Sequence, residues 1–253
     1  MRRYEGRRVL VTGATGGIGV HICERLAAEG ATVIVTDLPA EASADLAGRL
    51  AGDHLAGDHL GVALDVADEE SWTGVLARVE QELGGLDVLV NNAALGSLGS
   101  VEDETREQFD RVVAVDQTGT WLGMKHGGPL IERSGGGAII NVCSILGSTG
   151  GLGNSVAYHA AKGAVRTMTK NAALLWATRG VRVNSLHPGF IGTPQLYARF
   201  EGSERHRAML ANTPMGRLGT PEEIAGVVAF LGSDDAGYMT GAEVYADGGW
   251  TAR

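Results

Sequence analysis

The stretch that decides the fold is Val9-Leu10-Val11-Thr12-Gly13-Ala14-Thr15-Gly16-Gly17-Ile18-Gly19, close to the start of the 253-residue chain. A short aliphatic run leads into a cluster of glycines, and a helical pattern follows. Glycines at such a strand-to-helix turn let a phosphate group approach the backbone, and the amide groups of a helix N-terminus favour its negative charge. The stretch therefore predicts a dinucleotide phosphate site formed by Gly13, Thr15, Gly17, Ile18 and Gly19.

The rest of the chain continues this alternation of strand-like and helical segments. Strands are predicted at residues 8–12, 32–37, 61–66, 87–91, 138–143, 182–186 and 243–246. Helical patterns lie at residues 17–29, 41–50, 69–83, 107–133, 156–178 and 221–231. Such alternation predicts an α/β fold of the doubly wound Rossmann type, a seven-stranded, mostly parallel sheet with helices on both faces. No Pro/Ser-rich linker is visible, so residues 1–253 are expected to form a single domain.

Asp37 ends the second predicted strand, 24 residues after Gly13. A carboxylate at this place can accept hydrogen bonds from the adenosine ribose and would repel the additional phosphate of NADP. No Arg or Lys lies in residues 13–19 or directly after Asp37 to offset that repulsion. We therefore expect NAD as the cofactor, with Asp37 and Leu38 among its contacts. The alternative is that Asp37 is a solvated loop acid.

Two further strand ends carry polar residues. Asp65-Val66 ends the third predicted strand, and Asn91-Asn92-Ala93-Ala94 follows the fourth. Ligands of open α/β sheets bind at the carboxyl ends of the strands. We therefore expect both segments to lie at the same edge of the sheet as the glycine cluster.

Composition excludes several classes of function. The chain has 30 acidic and 21 basic residues, a formal net charge of −9, which disfavours nucleic acid and anionic membrane surfaces as partners. The two cysteines, Cys23 and Cys143, show no metal-type spacing, so we expect no metal and a reducing, cytoplasmic location. No apolar run approaches the ~18 residues that cross a membrane, and none near the N-terminus is long enough for a signal peptide.

A tandem pentapeptide lies between a predicted helix and a predicted strand. Ala51-Gly52-Asp53-His54-Leu55 is followed directly by Ala56-Gly57-Asp58-His59-Leu60. The repeated Asp-His pair is compatible with a metal site, whereas a small duplication that lengthens a surface loop is the simpler interpretation. Two short copies are too few for a solenoid.

The segment Tyr158-His159-Ala160-Ala161-Lys162 places a tyrosine and a lysine on one face of a predicted helix. A free tyrosine has a pKa of about 10 and is a poor base near neutrality. A nearby ammonium group favours the phenolate and lowers that pKa. Ser144 ends the fifth predicted strand, where its hydroxyl can hold a substrate oxygen. These residues predict hydride transfer between a nicotinamide and a secondary alcohol or ketone, with Tyr158 as the acid/base.

With these motifs, the chain resembles the short-chain dehydrogenase/reductase family over essentially its whole length. The matching segments are residues 12–19, 91–94, Ser144, Tyr158 with Lys162, residues 188–193 and the ending Ala246-Asp247-Gly248-Gly249-Trp250. The ending is similar to that of the family's cyclic-alcohol and hydroxysteroid dehydrogenases. The resemblance also implies a homotetramer, in which the helices at residues 107–133 and 156–178 pair across one interface.

The resemblance implies a role for each matched residue. Tyr158 would be the general acid/base, Lys162 would lower its pKa and bind the nicotinamide ribose, and Ser144 would polarise the carbonyl. The other cofactor contacts that it implies are Asp65 and Val66 at the adenine, Asn91 and Ala93 along the cofactor, and Ile191 and Thr193 at the carboxamide, with Pro188 and Gly189 beside them.

Two features depart from the family pattern. The family usually has an Asn in the long helix that supports a water relay behind the lysine, and this chain has Asp116 there. A carboxylate can hold the same water, but its charge raises the pKa of the lysine, so we expect activity with a shifted pH profile. The spacing from Ser144 to Tyr158 is also one residue longer than expected, within residues 147–153. We expect this difference to reshape the rim of the pocket.

The residues that follow the last active-site strand, about 191–215, are predicted to form a lid over the substrate. The expected substrate contacts are mostly apolar: Ile145, Leu146, Leu152, Phe190 and Leu196. Such a pocket favours a small hydrophobic or cyclic alcohol or ketone, with steroids as one option. The lid has no clustered Arg or Lys, although Arg199, Arg205 and Arg207 lie along it and could anchor an anion.

Two alternatives to an NAD-dependent alcohol dehydrogenase remain open at this stage. A 3-ketoacyl-carrier reductase would use NADPH and a basic docking surface, and both Asp37 and the net charge of −9 disfavour it. A non-catalytic NAD-binding sensor on the same fold is disfavoured by the intact Ser144, Tyr158 and Lys162. Only Asp116 favours the sensor.

Overall fold

Seven strands form one parallel sheet in the computed structural model, which describes residues 2–52 and 58–252. The strands are β1 (Arg8–Thr12), β2 (Thr32–Asp37), β3 (Leu60–Ala63), β4 (Val88–Asn91), β5 (Gly137–Val142), β6 (Val181–Pro188) and β7 (Glu243–Ala246). Their order is β3-β2-β1-β4-β5-β6-β7, and every pair of neighbours is parallel. The predicted doubly wound fold is confirmed, with a sheet that is parallel throughout.

Helices cover both faces of the sheet. They are α1 (Gly19–Ala28), α2 (Ala40–Gly52), α3 (Glu69–Leu83), α4 (Arg106–Val112), α5 (Gly119–Arg133), α6 (Val156–Trp176), α7 (Pro194–Phe200), α8 (Glu204–Ala211) and α9 (Pro221–Gly232). Successive side chains of β1 alternate between the two faces, as strand geometry requires. Val9 and Val11 join one hydrophobic core, and Leu10 joins the other. Burial on both faces explains why the strands appear in the sequence as continuous apolar runs.

Most predicted boundaries differ from the structure by one or two residues, and three differences concern segments near the crevice at the end of the sheet. The glycine turn continues to Ile18, and α1 begins at Gly19 instead of residue 17. The third strand ends at Ala63 instead of residue 66, because Asp65 and Ser71 close a turn there: the amide of Asp65 donates to Ser71 Oγ, and that of Ala67 to Asp65 Oδ1. The long helix predicted at residues 107–133 contains a π-helical segment, Val113–Thr118, between α4 and α5.

Half of the tandem pentapeptide, residues 53–57, lies outside the described residues, which resume at Asp58. The structure does show that Nδ1 of His59 accepts a hydrogen bond from the Val33 amide at 3.1 Å. Within residues 2–52 and 58–252 there is no group of three or more His, Cys, Asp or Glu placed to hold a metal ion. Over the same ranges, no helix is both long enough and apolar enough to cross a membrane.

The strand order places a crevice at the carboxyl edge of the sheet. β1 pairs with β2 on one side and with β4 on the other, so the connections that leave β1 and β4 run in opposite directions across the sheet. Ligands of doubly wound folds bind at such a switch point. The glycine turn after β1 and the segment after β4 both open into it.

Candidate active site

The glycine turn lines an elongated cavity of about 640 Å³ at the switch point. Gly13 has a positive φ of 59°, and a Cβ on it would lie 2.8 Å from the Cα of Ala93. A Cβ on Gly19 would overlap the carbonyl oxygen of Gly13. Only glycine lets the turn fold this tightly between β1 and α1. The resulting hollow beside a helix N-terminus fits a dinucleotide pyrophosphate.

Asp37 lies at the far end of this cavity and is held by the glycine turn. Its Oδ2 accepts hydrogen bonds from the amide of Thr15 at 3.1 Å and from the Thr15 hydroxyl at 2.6 Å. Its Oδ1 accepts from the amide of Leu38 at 2.8 Å. Asp37 and Leu38 line the cavity, whereas Thr15 is absent from its lining. Thr15 therefore acts here through Asp37, whose carboxylate it fixes in place.

Most of the other predicted cofactor residues line this cavity, but Asn91 does not. Asp65, Val66 and Ala93 line the large cavity with Gly13, Gly17, Ile18 and Gly19. Asn91 does not: its side chain is buried and donates to Asn141 Oδ1 at 2.8 Å, between two strands. The neighbouring Asn92 lines the cavity instead, with its amide group hydrogen-bonded to the backbone of Thr12 and Gly13. Sequence reasoning also missed Arg111, a lining residue from α4.

A second cavity, of about 310 Å³, contains the predicted catalytic residues Ser144, Tyr158 and Lys162. Pro188, Gly189, Ile191 and Thr193 line it as well. The two cavities share the lining residues Ile18, Asn92, Ala94 and Thr193. One dinucleotide can therefore run from Asp37 past the glycine turn and place its nicotinamide end beside Tyr158.

Local backbone structure positions Tyr158 and Ser144. Ser155 has a left-handed φ of 67° and directly precedes α6, so Tyr158 falls in the first turn of that helix. Ser144 follows β5 and begins a 3-10 turn in which its Oγ accepts from the Leu146 amide at 3.1 Å. A Cβ on Gly147 would lie 2.8 Å from the backbone of Lys162, so this turn packs directly on α6. A strained residue beside catalytic groups is a common feature of active sites.

Lys162 and Asp116 form a buried ion pair behind Tyr158. Nζ of Lys162 lies 3.4 Å from Asp116 Oδ2 and 5.5 Å from the centre of the Tyr158 ring, and it donates to the carbonyl of Val142 at 2.9 Å. Oδ1 of Asp116 accepts from the Leu95 amide at 2.7 Å. Asp116 lies in the π-helical segment, a distortion that is frequent at functional sites.

Burial and neighbouring charges set the protonation of these three groups. Burial raises the pKa of Tyr158, the Lys162 ammonium opposes that shift, and the Asp116 carboxylate adds to it, so the pKa is raised overall. Burial lowers the pKa of Lys162, but Asp116, Tyr158 and Cys143 together outweigh it, so the pKa is raised overall. Burial raises the pKa of Asp116 despite the nearby Lys162. Lys162 thus lowers the pKa of Tyr158, as expected, but in the protein without cofactor this effect is smaller than that of burial.

We expect Asp116→Asn to move the pH–rate profile of alcohol oxidation to lower pH. In the predicted mechanism, oxidation needs the Tyr158 phenolate, whose fraction rises as the pH passes through its pKa, and removal of the Asp116 charge lowers that pKa. The measurement is kcat/KM for a cyclic alcohol from pH 6 to pH 11, with NAD in excess. Asp110→Asn, the same change on an exposed carboxylate of α4, is the control. A profile in Asp116→Asn that overlies that of the wild type would contradict the coupling.

The cavity around Tyr158 contains most of the predicted substrate residues. Ile145, Leu146, Phe190 and Leu196 line it, whereas Leu152 does not. The segment that contains α7 and α8 covers one side, and from it Arg199, Phe200, Arg205 and Met209 reach the lining. These four were not among the predicted substrate contacts. The sequence analysis predicted a lid in this segment but neither of its two helices, and the sequence pattern does not indicate which side chains meet the cavity.

His187 and Cys143 have structural roles beside the site. Both ring nitrogens of the buried His187 have partners, the Ser144 carbonyl at 3.0 Å and the Ser185 hydroxyl at 2.9 Å. The Cys143 thiol is buried and donates to the Lys162 carbonyl at 3.1 Å, and burial raises its pKa. His187 thus supports the backbone of Ser144, and Cys143 packs against α6 as a neutral thiol.

Comparison with known proteins agrees with this geometry. The sequence model of the family described as enoyl-(acyl carrier protein) reductase matches residues 13–251. The chain is 39% identical over 98% of both chains to the 2,5-dichloro-2,5-cyclohexadiene-1,4-diol dehydrogenase LinX of Sphingobium indicum. It is 38% identical over all of both chains to the cyclopentanol dehydrogenase of Comamonas testosteroni. The NADP-dependent (R)-specific alcohol dehydrogenase of Lentilactobacillus kefiri is 39% identical over 99% of both chains.

A solved structure agrees over the whole fold. A short-chain type dehydrogenase/reductase from Mycobacterium marinum superimposes with a TM-score of 0.93 at 32% identity, covering 100% of this chain and 98% of that one. Sequence, fold and the arrangement of Ser144, Tyr158 and Lys162 therefore lead to one conclusion. The chain belongs to the short-chain dehydrogenase/reductase family.

Proposed function

We propose that this protein is an NAD-dependent dehydrogenase that interconverts a hydrophobic or cyclic secondary alcohol and its ketone. The observation that carries the proposal is the meeting of Ser144, Tyr158 and Lys162 in one cavity that opens into the glycine-lined dinucleotide cavity. Relatives named as dehydrogenases of cyclopentanol and of a cyclohexadiene diol support a cyclic substrate.

The protein supplies a proton carrier and an oxygen-binding site. Ser144 Oγ, fixed by the Leu146 amide, holds the substrate oxygen. Tyr158 Oη takes the hydroxyl proton during oxidation and returns it during reduction, as a general acid/base. The Lys162 ammonium, held between Val142 and Asp116, stabilises the phenolate. When bound, the nicotinamide supplies the hydride acceptor or donor and, in its oxidised form, one positive charge.

Asp37 supports the choice of NAD. Its carboxylate is fixed by three hydrogen bonds in the lining of the large cavity, where a fixed negative charge disfavours the additional ribose phosphate of NADP. Arg111 is the cationic residue in the described lining of that cavity, and it enters from α4, away from the glycine turn that holds Asp37. One relative is NADP-dependent, so the cofactor needs a direct measurement.

We expect the wild type to use NAD about 100-fold better than NADP, in kcat/KM, because a like-charge contact costs several kcal/mol. Asp37→Ala should remove about tenfold or more of that preference, mainly through a lower KM for NADP. The measurement is reduced-cofactor absorbance with a panel of cyclopentanol, cyclohexanol, a hydroxysteroid and an acyclic secondary alcohol.

Asp45→Ala removes the same charge from an exposed site on α2 and should leave the NAD preference unchanged. Faster turnover with NADP in the wild type would overturn the assignment of Asp37. No turnover of any panel member, with NAD binding intact, would favour the non-catalytic sensor over the dehydrogenase.

We also propose that residues 191–215 act as a lid and that the protein is a homotetramer. Thr193 lines both cavities and caps the N-terminus of α7, so it connects the cofactor site to the lid.

Trp121 of α5 and Leu174 and Leu175 of α6 are exposed apolar side chains. Their exposure supports pairing of these helices with a second copy of the chain. The partner in catalysis is a small-molecule alcohol or ketone.

A further inference from the structure

Two arginines line the substrate cavity without an acidic partner. Arg199 enters from α7 and Arg205 from α8, on the side of the cavity formed by residues 191–215. Among the residues that line this cavity in the described structure there is no Asp or Glu. The third cation there, Lys162, is paired with Asp116. The cavity therefore has an excess of positive charge in a chain whose formal net charge is −9.

Both guanidinium groups lie near the ring of Phe200. The central carbons of Arg199 and Arg205 lie 5.4 Å and 5.3 Å from the centre of the Phe200 ring. Burial lowers the pKa of Arg205, and the charge of Arg199 lowers it further. Two like charges beside one ring repel each other, and a bound anion would remove that cost.

Two donor groups of Arg205, Nε and Nη2, have no acceptor in the described structure. Its Nη1 donates to Asn154 Oδ1 at 2.7 Å, which fixes the guanidinium plane. Its Nε is buried and has no partner in the structure. Nη1 is occupied and Nε is closed off from solvent, so Nη2 is the donor that a ligand in the cavity can reach, and Nε can join it in a pair of parallel N–H bonds only if the side chain shifts. Such a pair matches a carboxylate in bidentate geometry.

Arg205 is partly buried and Arg199 is exposed, and neither has the carboxylate partner that two other partly buried arginines have. Arg3 is paired with Glu29 at 2.6 Å, and Arg8 is paired with Asp87 at 2.8 Å. Within the described ranges, neither Arg199 nor Arg205 has a carboxylate within ion-pair distance. A buried donor without an acceptor is costly. An acceptor group that enters the cavity and binds Arg205 would therefore be stabilised there.

We infer that the substrate carries a carboxylate, and that Arg205, with Arg199 beside it, binds this group while Ser144 and Tyr158 hold the reacting oxygen. The substrate class is a small cyclic hydroxy acid or its keto acid. The inference rests on the proposed dehydrogenase function and adds the second polar group of the substrate. The apolar residues that also line the cavity, which include Ile145, Leu146 and Leu196, would contact the ring of the substrate.

A lid contact is the competing explanation for the same geometry. The hydrogen bond from Arg205 to Asn154 joins α8 to the loop before α6. If closing the lid were its whole role, loss of Arg205 would slow every substrate by the same factor. A role in carboxylate binding predicts a loss only for substrates that have the carboxylate.

The test compares 4-hydroxycyclohexanecarboxylate with its methyl ester, a neutral molecule of similar shape, and with cyclohexanol. In the wild type, kcat/KM should be about 10- to 100-fold higher for the acid than for the ester. Arg205→Gln should remove most of that preference, while kcat/KM for the ester and for cyclohexanol changes less than about threefold. Arg205→Lys, which keeps the charge and loses the planar edge, should fall between. Equal losses for acid and ester in Arg205→Gln, or a wild type without preference, would overturn the inference.

Arg207→Gln is the matched control, because Arg207 lies on the same helix but is exposed and outside the cavity lining. Turnover of cyclohexanol and of the ester reports separately on the dehydrogenase function.

Binding of cyclohexanecarboxylate, which has no hydroxyl group to oxidise, gives a readout without turnover. Calorimetry on the complex with NAD should show binding that is about tenfold or more weaker in Arg205→Gln. Absence of binding to the wild type would contradict the carboxylate site even if every alcohol were oxidised.

Discussion

Tyr158→Phe is expected to lower kcat for a cyclic alcohol by about 1000-fold while the affinity for NAD stays within about threefold of the wild type. The substitution removes only the hydroxyl that accepts the substrate proton. The ring remains, with its packing against Val112, Ala157 and Ala161 and its contact with the Lys162 ammonium. The fold and the cofactor cavity should therefore be unaffected.

The measurement is steady-state turnover together with titration of NAD by protein fluorescence. Tyr238→Phe, the same change at a fully exposed tyrosine, is the control and should behave as the wild type. If Tyr158→Phe retains more than about a tenth of the turnover, a group other than Tyr158 carries the proton. A parallel loss of NAD affinity would instead indicate damage to the site.

Lys162→Met is expected to lower both stability and turnover. Asp116 is completely buried and its Oδ2 has no hydrogen-bond partner, so Lys162 is the charge that compensates it. Removal of one member of a buried ion pair costs about 3–5 kcal/mol of unfolding free energy. Turnover should fall by about 100-fold or more, because the phenolate of Tyr158 loses its stabilising charge.

The double variant Asp116→Asn/Lys162→Met separates the two effects. It has no uncompensated carboxylate, so most of the lost stability should return, whereas turnover should stay as low as in the single variant. Urea denaturation gives the first quantity and steady-state kinetics the second. Full stability in Lys162→Met alone would show that Asp116 is already neutral in the native protein.

Local sequence patterns are sufficient to predict the sheet and to identify the chemical groups of the site. Strand burial on both faces produces the apolar runs at β1, β4 and β5, and these runs were located correctly to within one or two residues. The spacing of four residues between Tyr158 and Lys162 fixes their common helix face. Glycines at residues 13 and 19 permit the tight turn after β1, which a side chain at either position would block. Each of these features depends on residues that are near one another in the chain.

Contacts between distant residues could not be predicted in the same way. Nothing local shows that the hydroxyl of Thr15 binds Asp37, or that Asn91 turns to Asn141 while Asn92 faces the cavity. The raised pKa of Tyr158 depends on burial and on two charges from other elements. The π-helical segment around Asp116 could not be predicted either, because the apolar periodicity of residues 107–133 is compatible with one continuous helix.

The surroundings of Arg199 and Arg205 also could not be predicted from local sequence. Along the sequence, Arg199 and Arg205 are two of several basic residues in a segment that also contains Glu201 and Glu204. Only the packing of α7 and α8 shows that both guanidinium groups lie on Phe200 and that the acids do not line the cavity. Substrate recognition in this protein is therefore a property of tertiary structure, whereas the chemistry is visible in the sequence.

The most direct test of the central claim is hydride transfer from a labelled alcohol. Cyclohexanol with deuterium on the carbon that bears the hydroxyl is incubated with wild-type protein and NAD, and the reduced cofactor is examined by mass spectrometry. We predict one deuterium in each reduced cofactor formed and an equal amount of cyclohexanone. The same result should follow for the hydroxy acid, at a higher rate. Reduced cofactor without deuterium, or none at all from either alcohol while NAD binds, would contradict the account.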